Sequence, residues 1–448
     1  MSIPEKCTVL VVGGGPGGSY AASVLAREGI STVLLEADSF PRYHIGESLL
    51  PSTREFLKFI DVYDKFESHG FIHKVGMMTL NGASFSYNSK PPAYTNFLAF
   101  GGHAWNVIRS ECDQILFKHA GDSGAKTFDG VKVNAIKFQP SGCQESHGDS
   151  SLGWPISASW ARKDKTASGT IHFKYLVDAS GRAGLISTKY MKNRRYNEGL
   201  KNIATWGYFE GAGMYGMARH KEAVPSPTKR WNRLGLVHSS SQRHNFRRLA
   251  HQDTPVPASA LSGMPGALLT LSSRRVCILA FTGALSAAAS ICAAIKGDCT
   301  EQLAANWHSE KIREAYTRFL LVVTSAYAQI TGQERPVLNE YDEENFDRAF
   351  SFFRPIIQGT VEIGGGKLSP EDVADSVEFC MRVIRKVDCT TNTDPNGKKP
   401  SEDENGELTC DRIKKAELKS DINKFRVDIV NGMTVNLQQG ALGLVKMA

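Results

Sequence analysis

The sequence predicts an α/β fold: a Rossmann-like parallel sheet, a second sheet inserted in it, and a mostly helical C-terminal region. Three observations carry this. The chain opens on an apolar, β-branched run that ends in glycines. Residues 131–139 and 155–161 alternate as half-buried strands do. From Thr300 onward, apolar residues recur at helical spacing.

The N-terminal stretch CTVLVVGGGPGGSYAASVLAREGISTVLLEAD is the strongest signal. Thr8 to Val12 suits a strand buried on both faces. It runs into Gly13-x-Gly15-x-x-Gly18, then a helix over Gly17–Glu28, a strand over Thr32–Leu35, and Glu36 at its end. A dinucleotide diphosphate needs this arrangement. Gly13 allows the tight turn, Gly15 lets the diphosphate approach the backbone, and Gly18 lets helix and strand pack closely. Gly14 and Gly17 belong to the same cofactor-binding turn. The helix N-terminus offers free N–H groups and a positive dipole end. Glu36 is placed to accept from ribose hydroxyls. The bland alternative is a ligand-free glycine turn, but strand, helix, second strand and acid stand in register.

Two further pieces concern the same site. VIRSECDQILFKHA sets Arg109 ahead of an amphipathic helix, and KYLVDASGRAGLIS is a buried strand ending in Asp178, Ser180 and Gly181. Both resemble parts of FAD enzymes of the glutathione-reductase and aromatic-hydroxylase type. The resemblance implies that Arg109 meets FAD and that the Asp178 strand returns beside the nucleotide. On the residues alone, the alternatives are a surface ion-pair partner for Arg109 and a helix N-cap for Asp178, and together with the glycine motif FAD is favoured.

The resemblance sharpens at FPRYHIGESLLPSTREFL and ESHGFIHKVG. Here the chain is similar to flavin-dependent halogenases, especially the fungal group acting on phenolic polyketides. WHSEKIREAYTRFLLVV, NFDRAFSFFRPIIQG and VNGMTVNLQQGALGL resemble the same family. The resemblance places Glu47 and Ser48 on the loop along the flavin and makes Lys74 the essential lysine. It implies that reduced FAD activates O₂ and that chloride is oxidised to hypochlorous acid. Lys74 then holds that acid by hydrogen bond, or carries it as a chloramine, and aims it at an electron-rich ring carbon. Burial would free the lysine lone pair by lowering its pKa; the bland reading of Lys74 is a solvated surface lysine. A separate flavin reductase supplies the reduced cofactor.

This reading divides the chain into an FAD-binding domain (1–130 and 171–299), a substrate-side sheet within it (131–170), and a C-terminal helical region (300–448). Ser369-Pro370-Glu371-Asp372 signals one helix start there, and the polar stretch 390–408 reads as a mobile loop. The nine Cys show no CxxC spacing, so no zinc site, redox pair or other metal site is expected. With no signal-peptide pattern at the N-terminus, a reducing, cytoplasmic location is expected. LAFTGALSAAASICAAIKGD is the most apolar run, and its glycines argue against a membrane span.

One window departs from the rest. Residues 224–278 hold eight Lys or Arg and one acid, whereas the remainder carries 45 of each, so the whole +7 excess lies there. KRWNRLGLVHSSSQRHNFRR, Lys229–Arg248, interleaves bases with aromatics as a nucleic-acid surface does. The neutral remainder argues against a polyanion binder, and no nucleic-acid partner is expected. The window also lacks two marks of the halogenase family, a W-x-W-x-I-P strand and a G-D-A-G stretch with its following turn. RLGLVHSSSQRHNFRR can be encoded so that reading one base later spells GWAWFIPLHNGTTSV. GMPGALLTLSSRRVCI can be encoded so that reading one base earlier spells GDAGCFIDPFFSSGVH. Out-of-frame or mis-spliced translation over 224–278 accounts for both, and for the charge. The expected consequence is weak flavin retention and little halogenation. Three readings therefore stand: a phenol halogenase, an aromatic hydroxylase of the same superfamily, and a non-catalytic flavoprotein remnant.

Overall fold

The computed structural model describes residues 2–47, 49, 52–74, 76–79, 93–96, 103–139, 152–194, 268–270, 277–313, 315–316 and 429–446. Strand β1 (Val9–Val12) is buried along its whole length and lies parallel to β2 (Thr32–Leu35) on one side and β11 (Tyr175–Asp178) on the other. β7 (Lys126–Phe128) and the short β12 (Leu268–Thr270) complete a sheet of order β12-β11-β1-β2-β7. Helix α1 (Pro16–Arg27) connects β1 to β2, with a proline in its first turn and Gly29 at φ +75° just past its end.

Alternation along the central strands sorts the core into two layers. Val9 and Val11 face α1, α4 (Arg109–Asp122) and α5 (Cys277–Lys296) in one apolar cluster. Leu10, Val12, Val33 and Leu35 face the other way, onto β8 (Val131–Gln139), β9 (Trp154–Arg162) and β10 (Ser168–His172). Those three form an antiparallel sheet of order β10-β9-β8. Helices thus cover one face of the parallel sheet and the inserted sheet covers the other, as the half-buried alternation predicts.

Two differences from the sequence reading have physical causes. The glycine in LAFTGALSAAAS does not break the apolar run, because Gly283 is buried in a continuous 20-residue helix. With mean hydropathy 2.0, α5 is long and apolar enough to cross a membrane, yet 72% of that stretch is buried inside the fold, where it packs on α1. Second, residues 301–313 are helical, but 429–446 form a hairpin of β13 (Met433–Asn436) and β14 (Gly443–Lys446) seated on α5. The buried Glu28 carboxylate accepts from Gly440 N at 2.7 Å and Leu442 N at 3.1 Å, and pairs with Lys296. After β11 comes the short π-helical turn Leu185–Tyr190, whose Ile186 N–H donates to Asp178. The helices expected over 315–330 and 369–387, all but residues 315–316 of the first, lie outside the described residues, as do the polar stretch 390–408 and the basic strip 229–248.

Candidate functional site

The glycine turn has the shape its chemistry requires. Gly13 sits at φ +106°, and a Cβ on it would come within 2.3 Å of the Ala179 carbonyl oxygen. A Cβ on Gly18 would lie 1.8 Å from the Gly13 carbonyl oxygen. Strand and helix therefore approach closer than any side chain permits. At Gly15 the added Cβ would meet only Arg42 Nη2, at 3.4 Å. That face is closed by nothing stiffer than the end of an arginine. Ser19 N bonds Gly15 O at 2.9 Å, so the first-turn N–H groups before it have no intrahelical acceptor.

Glu36 ends β2 beside this turn and is buried. One carboxylate oxygen accepts from Gly14 N–H, and the other from Asp38 N at 2.9 Å. Arg42 reaches both Glu36, at 3.8 Å, and Asp113, at 3.1 Å. Asp113 in turn takes a two-pronged pair from Arg109, Nε at 2.9 Å and Nη2 at 3.0 Å. A line of alternating charge thus runs Glu36–Arg42–Asp113–Arg109. Burial opposes the Arg109 charge, but Asp113 outweighs it and holds the guanidinium firmly protonated.

Arg109 is neither at the surface nor aimed into open space. It is the first residue of α4, buried, and its Nη1 donates to the Ile45 carbonyl at 2.8 Å. It therefore clamps the loop predicted to run along the flavin. Gly46 on that loop takes φ +92° beneath the guanidinium. Glu47 is buried, its carbonyl accepting from Val107 N at 2.7 Å, and Leu49 N donates to the Trp105 carbonyl at 2.9 Å. Ser48 lies outside the described residues.

Those two bonds tie the loop to β6 (Ala104–Asn106), which pairs antiparallel with β3 (Ile72–Lys74). Lys74 stands opposite Ala104, so backbone pairing joins its strand through β6 to the Glu47 loop. The position of the lysine side chain lies outside the described atoms. Asp178 stands opposite Val12 at the end of β1, and accepts from Ser180 N at 3.0 Å and Ile186 N at 2.7 Å. Burial pushes its carboxyl up, and the donors from Ser180 and Ile186 pull it part of the way back. Asp178 acts as a cap for the turn that follows β11, and it braces Ala179 against Gly13.

Sequence reasoning missed Arg42 and Asp113. Asp113 carries a usable signal, four residues after Arg109 on one helix face. Arg42 carries none, because its partners are distant in the chain.

Residues 6–190 match the family described as an FAD binding domain. Across nearly the whole chain, the flavin-dependent halogenase ascD of Acremonium egyptiacum is 42% identical over 526 aligned positions, covering 99% of this chain and 93% of the relative. The sulochrin halogenase gedL of Aspergillus terreus is 37% identical over 527, covering 99% and 94%.

The chain belongs to the flavin-dependent halogenase family.

Its fold is that of solved flavin-dependent halogenases. The myxobacterial chondrochloren halogenase CndH superposes with a TM-score of 0.55 at 18% identity, over 85% of this chain and 97% of that one. The halogenase CmlS gives 0.53 at 19%, over 86% and 78%. The halogenase residues present here fit the adenosine diphosphate end of FAD. Gly13 to Gly18 leave room for the phosphates, the first turn of α1 supplies donors, and Glu36 stands beside the turn for a ribose.

Proposed function

We propose that this halogenase chlorinates an electron-rich phenolic ring of a secondary metabolite. The observation that carries the reading is identity of 42% to a fungal halogenase over nearly the full length of both chains. Bound reduced FAD would supply the two electrons that activate O₂, and a separate reductase would replenish it. Overall, an aryl C–H, chloride, a proton, O₂ and reduced FAD give an aryl chloride, oxidised FAD and two waters. The C–H bond breaks, the C–Cl bond forms, chloride is oxidised and O₂ is reduced.

The chain's own residues have assigned parts. Gly13, Gly14, Gly15, Gly17, Gly18 and Glu36 hold the adenosine diphosphate. Arg109 holds the loop of Glu47 and Ser48 along the flavin, and Asp178 braces the turn beside the phosphates. Lys74 holds hypochlorous acid and directs its chlorine to the ring, which keeps a strong oxidant from diffusing away. The setting is the reducing cytoplasm.

We further propose that residues 224–278 are translated out of frame, so that this exact chain retains FAD weakly and halogenates little. Support comes from the charge excess confined to that window and from the loss of two family marks within it. The test compares this chain with one in which the shifted frames are restored, each supplied with FAD, reductase, chloride and a panel of phenols. The chlorine isotope pattern in the product of the restored chain alone bears out both proposals. Hydroxylated product replaces the halogenase reading with the hydroxylase. Full FAD occupancy and rapid chlorination by the chain as it stands refute the frame proposal. Lys74→Ala in the restored chain should abolish aryl chloride while leaving FAD bound and reduced FAD oxidised by O₂.

A further inference from the structure

We propose that Glu67, His73 and His103 form a binding site for a first-row divalent cation, Zn²⁺ foremost, on the strand that carries Lys74. His73 Nε2 lies 3.3 Å from one Glu67 oxygen, and His103 Nε2 lies 3.1 Å from the other. One donor atom from each of the three residues lies within 4.8 Å of the others. Zn–N and Zn–O bonds of about 2.0–2.2 Å set tetrahedral neighbours ~3.3 Å apart, so small side-chain rotations close the set on one ion. Imidazole and carboxylate donors suit zinc, nickel and copper better than magnesium or calcium, which prefer oxygen alone.

Backbone structure holds the three residues together. His73 is in β3, paired with Trp105 of β6; His103 directly precedes β6; Glu67 sits in helix α3 (Tyr63–Ser68). The imidazole rings stack at 3.9 Å and 20°, and Trp105 meets His103 edge-on at 5.1 Å. His103 is largely enclosed, with 15% of its side chain exposed, while His73 at 41% leaves the ion a way in and a fourth position for water. A bound ion would join α3, β3 and β6 one residue before Lys74. The sequence motif HGFIHKVG gave the resemblance its lysine and left His73 without a part.

The proposal is independent of the halogenase reading, and its test needs no turnover. The purified full chain, with any polyhistidine tag removed, is stripped with chelator. It is then titrated with Zn²⁺ against a chromogenic competitor and separately loaded with Co²⁺. One equivalent of zinc and the visible bands of tetrahedral Co²⁺ are expected. His73→Ala and Glu67→Gln change half-exposed side chains and leave the core intact, which the melting temperature of the metal-free variants verifies. Each should raise the zinc Kd by at least about tenfold, the lower bound for losing even an outer partner of a metal site. Zinc should raise the melting temperature of the parent and of neither variant. Absence of zinc binding in the parent, or equal binding in parent and variants, overturns the site.

Discussion

The contact between helix α1 and strand β1 depends on a missing side chain, and Gly18→Ala measures how much. The new Cβ would stand 1.8 Å from the Gly13 carbonyl oxygen, where real contacts are at least 3.0 Å. The turn and helix must separate by 1.2 Å, and neither is free to move. Gly13 N is bonded to Leu35 O at 2.8 Å, and Ala179 N to Val12 O at 2.8 Å. On its other side α1 is packed against α4 and α5, with Tyr20, Ala21 and Leu25 fully buried. Overpacking costs about 1–3 kcal/mol where side chains can shift. Here the obstacle is backbone, so the upper end, about 3 kcal/mol, is expected. The displaced helix N-terminus should also weaken FAD binding by at least about tenfold, or 1.4 kcal/mol. Two controls separate crowding from glycine chemistry. At Gly17 the added Cβ meets the Ala280 oxygen at 3.3 Å, so Gly17→Ala should cost far less. Gly29 has φ +75° and nothing within 4 Å, so Gly29→Ala should cost about 1–2 kcal/mol from backbone strain with no change in FAD affinity. Urea unfolding and fluorescence titration with FAD read both quantities. Wild-type stability and FAD affinity in Gly18→Ala would refute the close-approach argument.

Three further outcomes follow from buried charge. Arg109→Met leaves Asp113 buried with Arg42 as its one remaining cation among the described residues, and should lower unfolding free energy by about 3 kcal/mol; adding Asp113→Leu should restore most of that, and FAD titration of the double variant then reports what Arg109 and its hold on the Ile45 loop contribute to the flavin. Asp178→Asn turns an amide toward the N–H donors of Ser180 and Ile186 and should cost about 2 kcal/mol in urea unfolding, with the loop after β11 losing amide-exchange protection. His308 is fully buried and held near a pKa of about 4 by desolvation, with its Nδ1 2.9 Å from Ser286 Oγ. The folded state takes up its proton less readily than the unfolded state does. Stability is therefore complete above pH 6.5 and falls as the pH drops toward 4, by up to about 3 kcal/mol at roughly 1.4 kcal/mol per pH unit. His308→Gln should remove that part of the acid sensitivity, seen as a smaller stability difference between pH 7 and pH 4.5.

Local chemistry decides what the sequence shows. The strand Thr32–Leu35 and the strand Val131–Gln139 are read to the residue, the first because burial on both faces writes a continuous apolar run, the second because apolar and polar residues alternate except at Ala135-Ile136. Gly13, Gly15, Gly18 and Glu36 are legible because their spacing is itself the mechanism. Arg109 is legible as a residue of the site, and the structure adds its partners: Asp113, four residues on along α4, and the Ile45 carbonyl, reached by chain folding across 64 residues. Glu28 closes the helix expected over Gly17–Glu28, and the hairpin 412 residues away accounts for its burial. His73 and His103 are 30 residues apart, and a β-pair rather than a motif brings them together.

Few residues of the window 224–278 are described, and their places in the fold bear on the proposed frame shift. β1, β2, β11, α1 and α4 come from residues before 180, and α5 begins at Cys277 as the window ends. Between Val224 and Ile278 the described residues are the three-residue edge strand β12 and the first two residues of α5. In the main apolar cluster, the window's last two residues supply the buried Ile278 and the partly buried Cys277, and the other members, Val9, Val11, Tyr20, Leu34, Leu116 and Phe281 among them, lie outside it. Four of the five strands of the parallel sheet and the whole glycine turn thus come from outside the window, and the edge strand β12 comes from within it. The two halves of FAD should separate experimentally. The chain as it stands should bind ADP with the affinity of the frame-restored chain and bind FAD more weakly. Equal FAD affinity in the two chains would show that residues 224–278 contribute nothing to the flavin half, and the frame proposal would lose its functional consequence.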